Sequence, residues 1–151
     1  LIPIPDEKYW LGCFAGDDKC RAIKPPYQPG DIMYVREPWA RSMAGTYLYR
    51  ATDTPLILSG WYPSIHMPRE AARIFLRVTD VRVERLRPIS DTACMAEGIT
   101  CAWNVDLPDA FAEVWDRTIR PADRPFYGWE ANPWVWVIEF ERISREVASH
   151  D

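Results

Sequence analysis

The chain has 151 residues, 48% of them hydrophobic and 26% charged, which is the arithmetic of one globular domain and excludes a disordered polar tail. A chain of this size buries roughly 70% of the surface its unfolded form exposes, so it can build a core. Fourteen prolines, about 9% against a usual ~5%, cut the chain into short elements and exclude long helical bundles and coiled coils.

The net charge of −4, from 18 basic and 22 acidic residues, provides no global basic footprint for nucleic acid. The balance is uneven along the chain. Lys8, Lys19 and Lys24 are its three lysines, and the remaining 15 basic residues are arginines. Between Arg69 and Arg87 six arginines face Glu70, Asp80 and Glu84, a local +3. Arginine is the planar, stacking cation suited to phosphates and bases, although alternating Arg and Glu also describes a solvated sheet face. No apolar run reaches the ~18 residues of a membrane span and no charged-then-apolar leader opens the chain, so a cytoplasmic protein with no membrane partner is expected. Cys13, Cys20, Cys94 and Cys101 form two pairs spaced more widely than zinc knuckles, with only His66 and His150 to assist, so thiols are expected and no metal or other cofactor is implied.

Residues 1–27, with prolines at 3, 5, 25 and 26, read as an extended arm and loops, 28–143 as the folded domain, and 144–151 as a tail. Gln28-Pro29-Gly30-Asp31 is a turn that opens a strand over Ile32–Glu37, stopped by Pro38 ahead of Trp39. Tyr47–Arg50 is a second short strand. Prolines at 55, 63 and 68 mark a loop that ends in Pro63-Ser64-Ile65-His66-Met67-Pro68, followed by one helical turn. From Arg73 the chain alternates, with Ile74, Leu76 and Val78 facing inward and Phe75 outward; Val81 and Val83 resume the inward register after one added residue, so a bulge is expected near Thr79-Asp80. Ser90 as N-cap, Asp91 in the first turn and Gly98 as stop frame a helix over about 91–97 with Ala93, Met95 and Ala96 on its face and Cys94 at the margin of that face. A second helix runs from Pro108 to about Arg120, with Phe111, Val114 and Trp115 at helical spacing. Trp134–Arg142 is the last strand, with Trp134, Trp136, Ile138 and Phe140 on one face and Glu139 and Glu141 on the other.

The block Phe75-Leu76-Arg77-Val78-Thr79-Asp80-Val81-Arg82-Val83-Glu84-Arg85-Leu86, followed by Ile89-Ser90 and Ala96-Glu97-Gly98-Ile99, resembles an ASCH domain of the PUA-like superfamily. Pro29–Glu37 with Trp39, Trp61 with Pro63–Arg69, and Asn132–Phe140 extend the likeness over most of 28–143, toward a phage- and prophage-encoded branch. The resemblance implies an α+β fold: a small mixed, mainly antiparallel β-barrel with two or three short flanking helices. ASCH domains usually carry Gly-x-Lys-x-x-Thr-x-Arg ahead of the first strand. Lys19 and Lys24 have no Thr at the required offset, so about 30 further residues upstream are expected from ordinary domain anatomy.

In family members that act as amidohydrolases on an acetylated cytidine, a glutamate of the Ala-x-x-Glu block serves with that lysine and threonine; the matching position is Glu97. Others are described as ribonucleases. The residues themselves favour binding. Arginine and aromatic side chains hold single-stranded RNA or a nucleotide by stacking and by phosphate contacts. Arg36 and Trp39 leave the first strand, and Ser64, His66 and Arg69 sit on a proline-rigid loop, so the two groups are expected to meet at one cleft. Arg77 joins them from the arginine-rich strand. Glu37 accepts either from a neighbouring arginine or from a base amino group. Three functions therefore stand: an RNA- or nucleotide-binding module, a small hydrolase with Glu97 as general base, and an accessory protein that binds a host protein through the Trp/Tyr-rich loop 39–63.

Overall fold

The structure is a computed structural model that describes residues 23–53, 60–100 and 106–148, and, as backbone, three short strands before them. Those three, β1 (Ile2–Pro3), β2 (Trp10–Gly12) and β3 (Arg21–Ile23), form an antiparallel sheet with Ile2 opposite Leu11 and Trp10 opposite Ile23. Cys13, Cys20, Cys101 and His150 lie outside the described residues. The chain divides into two compact units, one of residues 1–25 and 82–137, the other of 26–81 and 138–151.

The 26–81/138–151 unit starts with the expected turn. Asp31 N donates to Gln28 O at 3.0 Å, the Asp31 carboxylate accepts from Gln28 N at 2.8 Å, and Gly30 takes φ +97°, where a side chain would be strained. β4 (Ile32–Tyr34) is shorter than the hydrophobic run that encodes it, because the chain leaves the ladder ahead of Pro38, which has no N–H to offer. β5 (Trp39–Arg41) and β6 (Tyr47–Tyr49) form a separate hairpin. Two 3-10 turns, Ser64–His66 and Arg69–Ala71, occupy the proline-flanked stretch.

β7 (Phe75–Arg85) pairs antiparallel with β4, Ile32 opposite Arg77, and lies between β4 and the last strand, β8 (Trp134–Ile143). The boundary between the units falls within β7 and within β8. The alternation expected along β7 fails at its start: Phe75, placed outward by a two-residue period, is buried along with Val78. Met67, Ala71, Ala72 and Phe75 form this unit's core with Ala148 of α4 (Arg145–Ala148), and Ile32, Trp39, Tyr47 and Tyr49 pack against it.

The other unit is built on α1 (Asp91–Ala96) and α2 (Leu107–Thr118), with α3 (Arg124–Tyr127) after them. The α1 signals act as expected. Ser90 Oγ accepts from Ala93 N at 3.2 Å, and Gly98 closes the helix at φ +85°. Its buried residue is Cys94, fully enclosed against Leu86 and Phe111, while Met95 is exposed. Phe111 packs on Trp115 and Trp129 with centroids 6.2 and 6.1 Å apart.

The strands of the described residues fall into separate sheets of three, three and two, and none closes into a barrel. The expectation of a β-barrel is therefore corrected to a small α+β fold with four α-helices among the described residues. Closure needs hydrogen-bonded neighbours all the way round. Three-residue strands interrupted by prolines at 38, 63 and 68 leave too few backbone donors for that. No helix among the described residues is long and apolar enough to cross a membrane.

Replacing Ser90 with Ala removes the α1 cap and is expected to cost about 1 kcal/mol of stability. Chemical denaturation measures it, and an unchanged midpoint would show that α1 does not depend on the cap.

Candidate functional site

The residues singled out in 26–81 do not meet at one cleft; the structure distributes them among five arrangements. Arg36 Nη1 donates to Ile65 O at 3.1 Å and Nη2 to the Tyr34 hydroxyl at 3.0 Å, so Arg36 is indeed drawn to the turn that carries Ser64 and His66. Trp39 turns away into packing. Its ring lies 5.0 Å from that of Tyr62 and 5.7 Å from that of Tyr47, and its Nε1 is buried with no acceptor among the described residues. Arg77 approaches Glu141 at 3.9 Å, and Arg69 points to the carbonyl of Ala148.

Glu37 meets neither Arg36 nor solvent. It is only 8% exposed, and both carboxylate oxygens are taken by Arg73, from Nε at 2.8 Å and from Nη2 at 2.7 Å. The third guanidinium nitrogen donates to Thr52 Oγ1 at 2.9 Å, and the plane lies 4.0 Å from the Tyr49 ring centroid. Tyr49 in turn donates its hydroxyl to Ala71 O at 2.6 Å. The Arg73 hydrogen bonds hold the Glu37 carboxyl below the usual carboxylate range, against the opposing effect of burial. Burial raises the Tyr49 hydroxyl, with Arg73 opposing. With each of the three guanidinium nitrogens engaged and both carboxylate oxygens taken, this cluster is a structural clamp.

The other unit holds an open cleft of about 480 Å³ that sequence reasoning passed over. Its walls are the end of β7, the start of β8, the C-terminal end of α1 and the Phe111–Trp115 side of α2. Asn132 shapes this region. It sits in the left-handed region at φ 46°, its side-chain oxygen accepts from Arg87 N at 2.9 Å, and its backbone oxygen accepts from Arg85 Nη1 at 2.8 Å. The Arg85 guanidinium then lies 4.3 Å from the Trp134 ring centroid, and Trp134 remains 45% exposed. Trp115 is fixed by donating Nε1 to Tyr127 O at 2.8 Å. Arg82 pairs with Glu84 at the same wall.

Glu97, the C-cap of α1, is exposed and borders the cleft, and its carboxylate has no hydrogen-bond or ion-pair partner among the described residues. It belongs to this unit, whereas the seven other candidates belong to the unit of 26–81 and 138–151. The cleft thus collects a stackable indole, two guanidiniums and two carboxylates, Glu84 paired with Arg82, around a volume within the ~300–1,000 Å³ of small-molecule sites. Arg85 and Trp134 were visible in the sequence as part of an arginine run and a strand face. Their meeting was not, because it depends on the backbone turn at Asn132. No family model, no curated protein and no solved structure matches the chain.

The Glu37–Arg73 pair has a pH signature. Because the folded-state pKa of Glu37 lies below its unfolded value, the pair contributes stability above the unfolded value near ~4.3 and loses it as pH falls through the folded value. Glu37→Gln is expected to cost roughly 1.5–3 kcal/mol at neutral pH. It should also flatten the acid limb of a stability-against-pH curve. Equal acid slopes for the variant and the parent would refute the assignment.

Proposed function

We propose that this is a cytoplasmic, phage-type protein that binds single-stranded RNA or a nucleotide in the cleft between β7, β8, α1 and α2. The observation that carries this reading is Arg85 laid over the half-exposed ring of Trp134 at the edge of a 480 Å³ cleft. A base stacks on an indole whatever its identity, and a guanidinium beside it serves a phosphate or a second stack. Glu97 supplies an acceptor for a base N–H at the other side of the cleft. The likeness of β7, α1 and β8 to ASCH blocks supports the same reading, since these are the segments that line the cleft. The net charge of −4 is compatible with it, because binding of a short ligand rests on local arginines.

A second reading is favoured by one observation: the unpartnered Glu97 carboxylate borders the cleft and is positioned to serve as general base toward water in hydrolysis of a modified nucleoside or RNA. It requires turnover that Glu97→Gln abolishes, whereas the binding reading requires none. A host-protein partner for loop 39–63 has less support, since Trp39 and Tyr62 of that loop pack on each other.

Titration of labelled single-stranded RNA should show binding that weakens with salt. Trp134→Ala is expected to cost about 1–3 kcal/mol for the stacked base, roughly five- to 150-fold in affinity. Arg85→Ala should weaken binding and lower the salt slope by about one. Absence of binding at low salt, or full affinity in Trp134→Ala, would overturn the proposal.

A further inference from the structure

The polar side chains of the cleft between β7, β8, α1 and α2 divide unevenly into donors and acceptors. Among the described residues of its wall, Glu84, Ser90 and Glu97 carry side-chain acceptors. Glu84 accepts from Arg82, and Ser90 Oγ accepts from Ala93 N at 3.2 Å. Glu97 keeps both carboxylate oxygens without a partner among the described residues. Ser90, Ala93 and Glu97 follow one another at i, i+3 and i+7, so they share the side of α1 that lines the cleft, and Ala93 puts only a methyl group between the two polar ends. Along α1, a ligand edge reaches Glu97 without crossing a bulky side chain.

Resting on the reading of this cleft as a base-binding site, we infer that it selects guanine, as a free nucleotide or within single-stranded RNA, through the Glu97 carboxylate. The reason lies in the Watson–Crick edges of the bases, which proteins read once a base is unstacked. A carboxylate with two open oxygens only accepts, and its best match is a pair of parallel N–H donors side by side. Guanine presents that pair in N1–H and its N2 amino group. Adenine and cytosine each set an amino donor beside a ring acceptor, and uracil flanks its one N–H with two carbonyls, so each brings an acceptor against the second carboxylate oxygen. The strand wall of the cleft does not discriminate. Trp134, 45% exposed, with the Arg85 guanidinium 4.3 Å from its ring centroid, offers a stacking surface that every base can use. Arg85 gives one hydrogen bond to Asn132 O at 2.8 Å and, through its other donors, serves the phosphate that Glu97 would otherwise repel. Base identity is then decided at Glu97.

The test uses the whole chain, titrated at low salt with labelled uridine heptamers that carry one central guanine, adenine, cytosine, uracil or inosine, and with GMP as competitor. The guanine heptamer is expected to bind about tenfold more tightly than the adenine, cytosine and uracil ones, toward the lower end of what one bidentate base contact contributes because Glu97 is exposed. Inosine keeps N1–H but lacks the amino group, so its heptamer should fall between. Glu97→Gln exchanges one acceptor for a donor and should bring the guanine preference close to unity. Its affinity for the uracil heptamer should stay, which shows that the cleft is still folded. Displacement of the guanine heptamer by GMP marks a nucleotide site, and preference without displacement marks guanine held within RNA; either supports the assignment. Equal binding of all heptamers, or a guanine preference that survives Glu97→Gln, would overturn the choice of guanine while leaving Trp134-dependent base binding in place. Absence of binding by every heptamer would overturn both.

Discussion

A buried carboxylate must find a partner, and in this protein Glu37 finds it in both forks of Arg73. Much of the unit formed by 26–81 and 138–151 follows from that pair. It fastens the third residue after β4 to the residue two before β7, across 36 positions of sequence. The guanidinium covers Tyr49 of β6, whose hydroxyl bonds Ala71 beside the core. Thr52 takes the remaining guanidinium nitrogen, and the Asp53 carboxylate accepts from Tyr49 N at 2.7 Å. Strand end, hairpin and 3-10 turn are thus held by one cluster. A surface ion pair would contribute little here; this pair matters because losing either member strands the other charge.

The arginine–aromatic pairing recurs in the other unit with a different outcome. Arg85 lies over Trp134 much as Arg73 lies over Tyr49. Arg73 commits its nitrogens to Glu37 and Thr52, whereas Arg85 donates to the backbone oxygen of Asn132 and, among the described residues, to no carboxylate. The first arrangement is closed and stabilises. The second leaves donors and half an indole facing an open cleft, which is what separates a binding surface from a clamp.

Local chemistry was legible in the sequence. The Pro29-Gly30 turn, the Ser90 cap and Gly98 stop of α1, and the Pro108 start of α2 depend on neighbours within four residues, and each forms as read. Non-local pairing was not legible. Six closely spaced arginines offered no way to decide which one Glu37 would take, and the answer was one left off the candidate list. The period-two pattern of β7 put Phe75 outward because it placed the break in the alternation near Thr79-Asp80, while the core recruits Phe75 and Val78, three apart. The barrel expectation failed because a resemblance carries a whole topology, whereas short proline-bounded strands pair only where their backbones reach. Trp39 shows the same limit: a tryptophan after a strand reads equally as a stacking platform or a plug, and its buried Nε1 places it inside.

The eight tryptophans offer the most direct test of the proposed RNA or nucleotide site. Indole N–H resonances, assigned by single substitutions, would be followed by NMR as a short single-stranded RNA is titrated in. The Trp134 and Trp115 resonances of the cleft should shift with saturation while that of Trp39, packed against Tyr47 and Tyr62, stays in place. Shifts confined to Trp39, or no shift at Trp134 at saturating RNA, would contradict it.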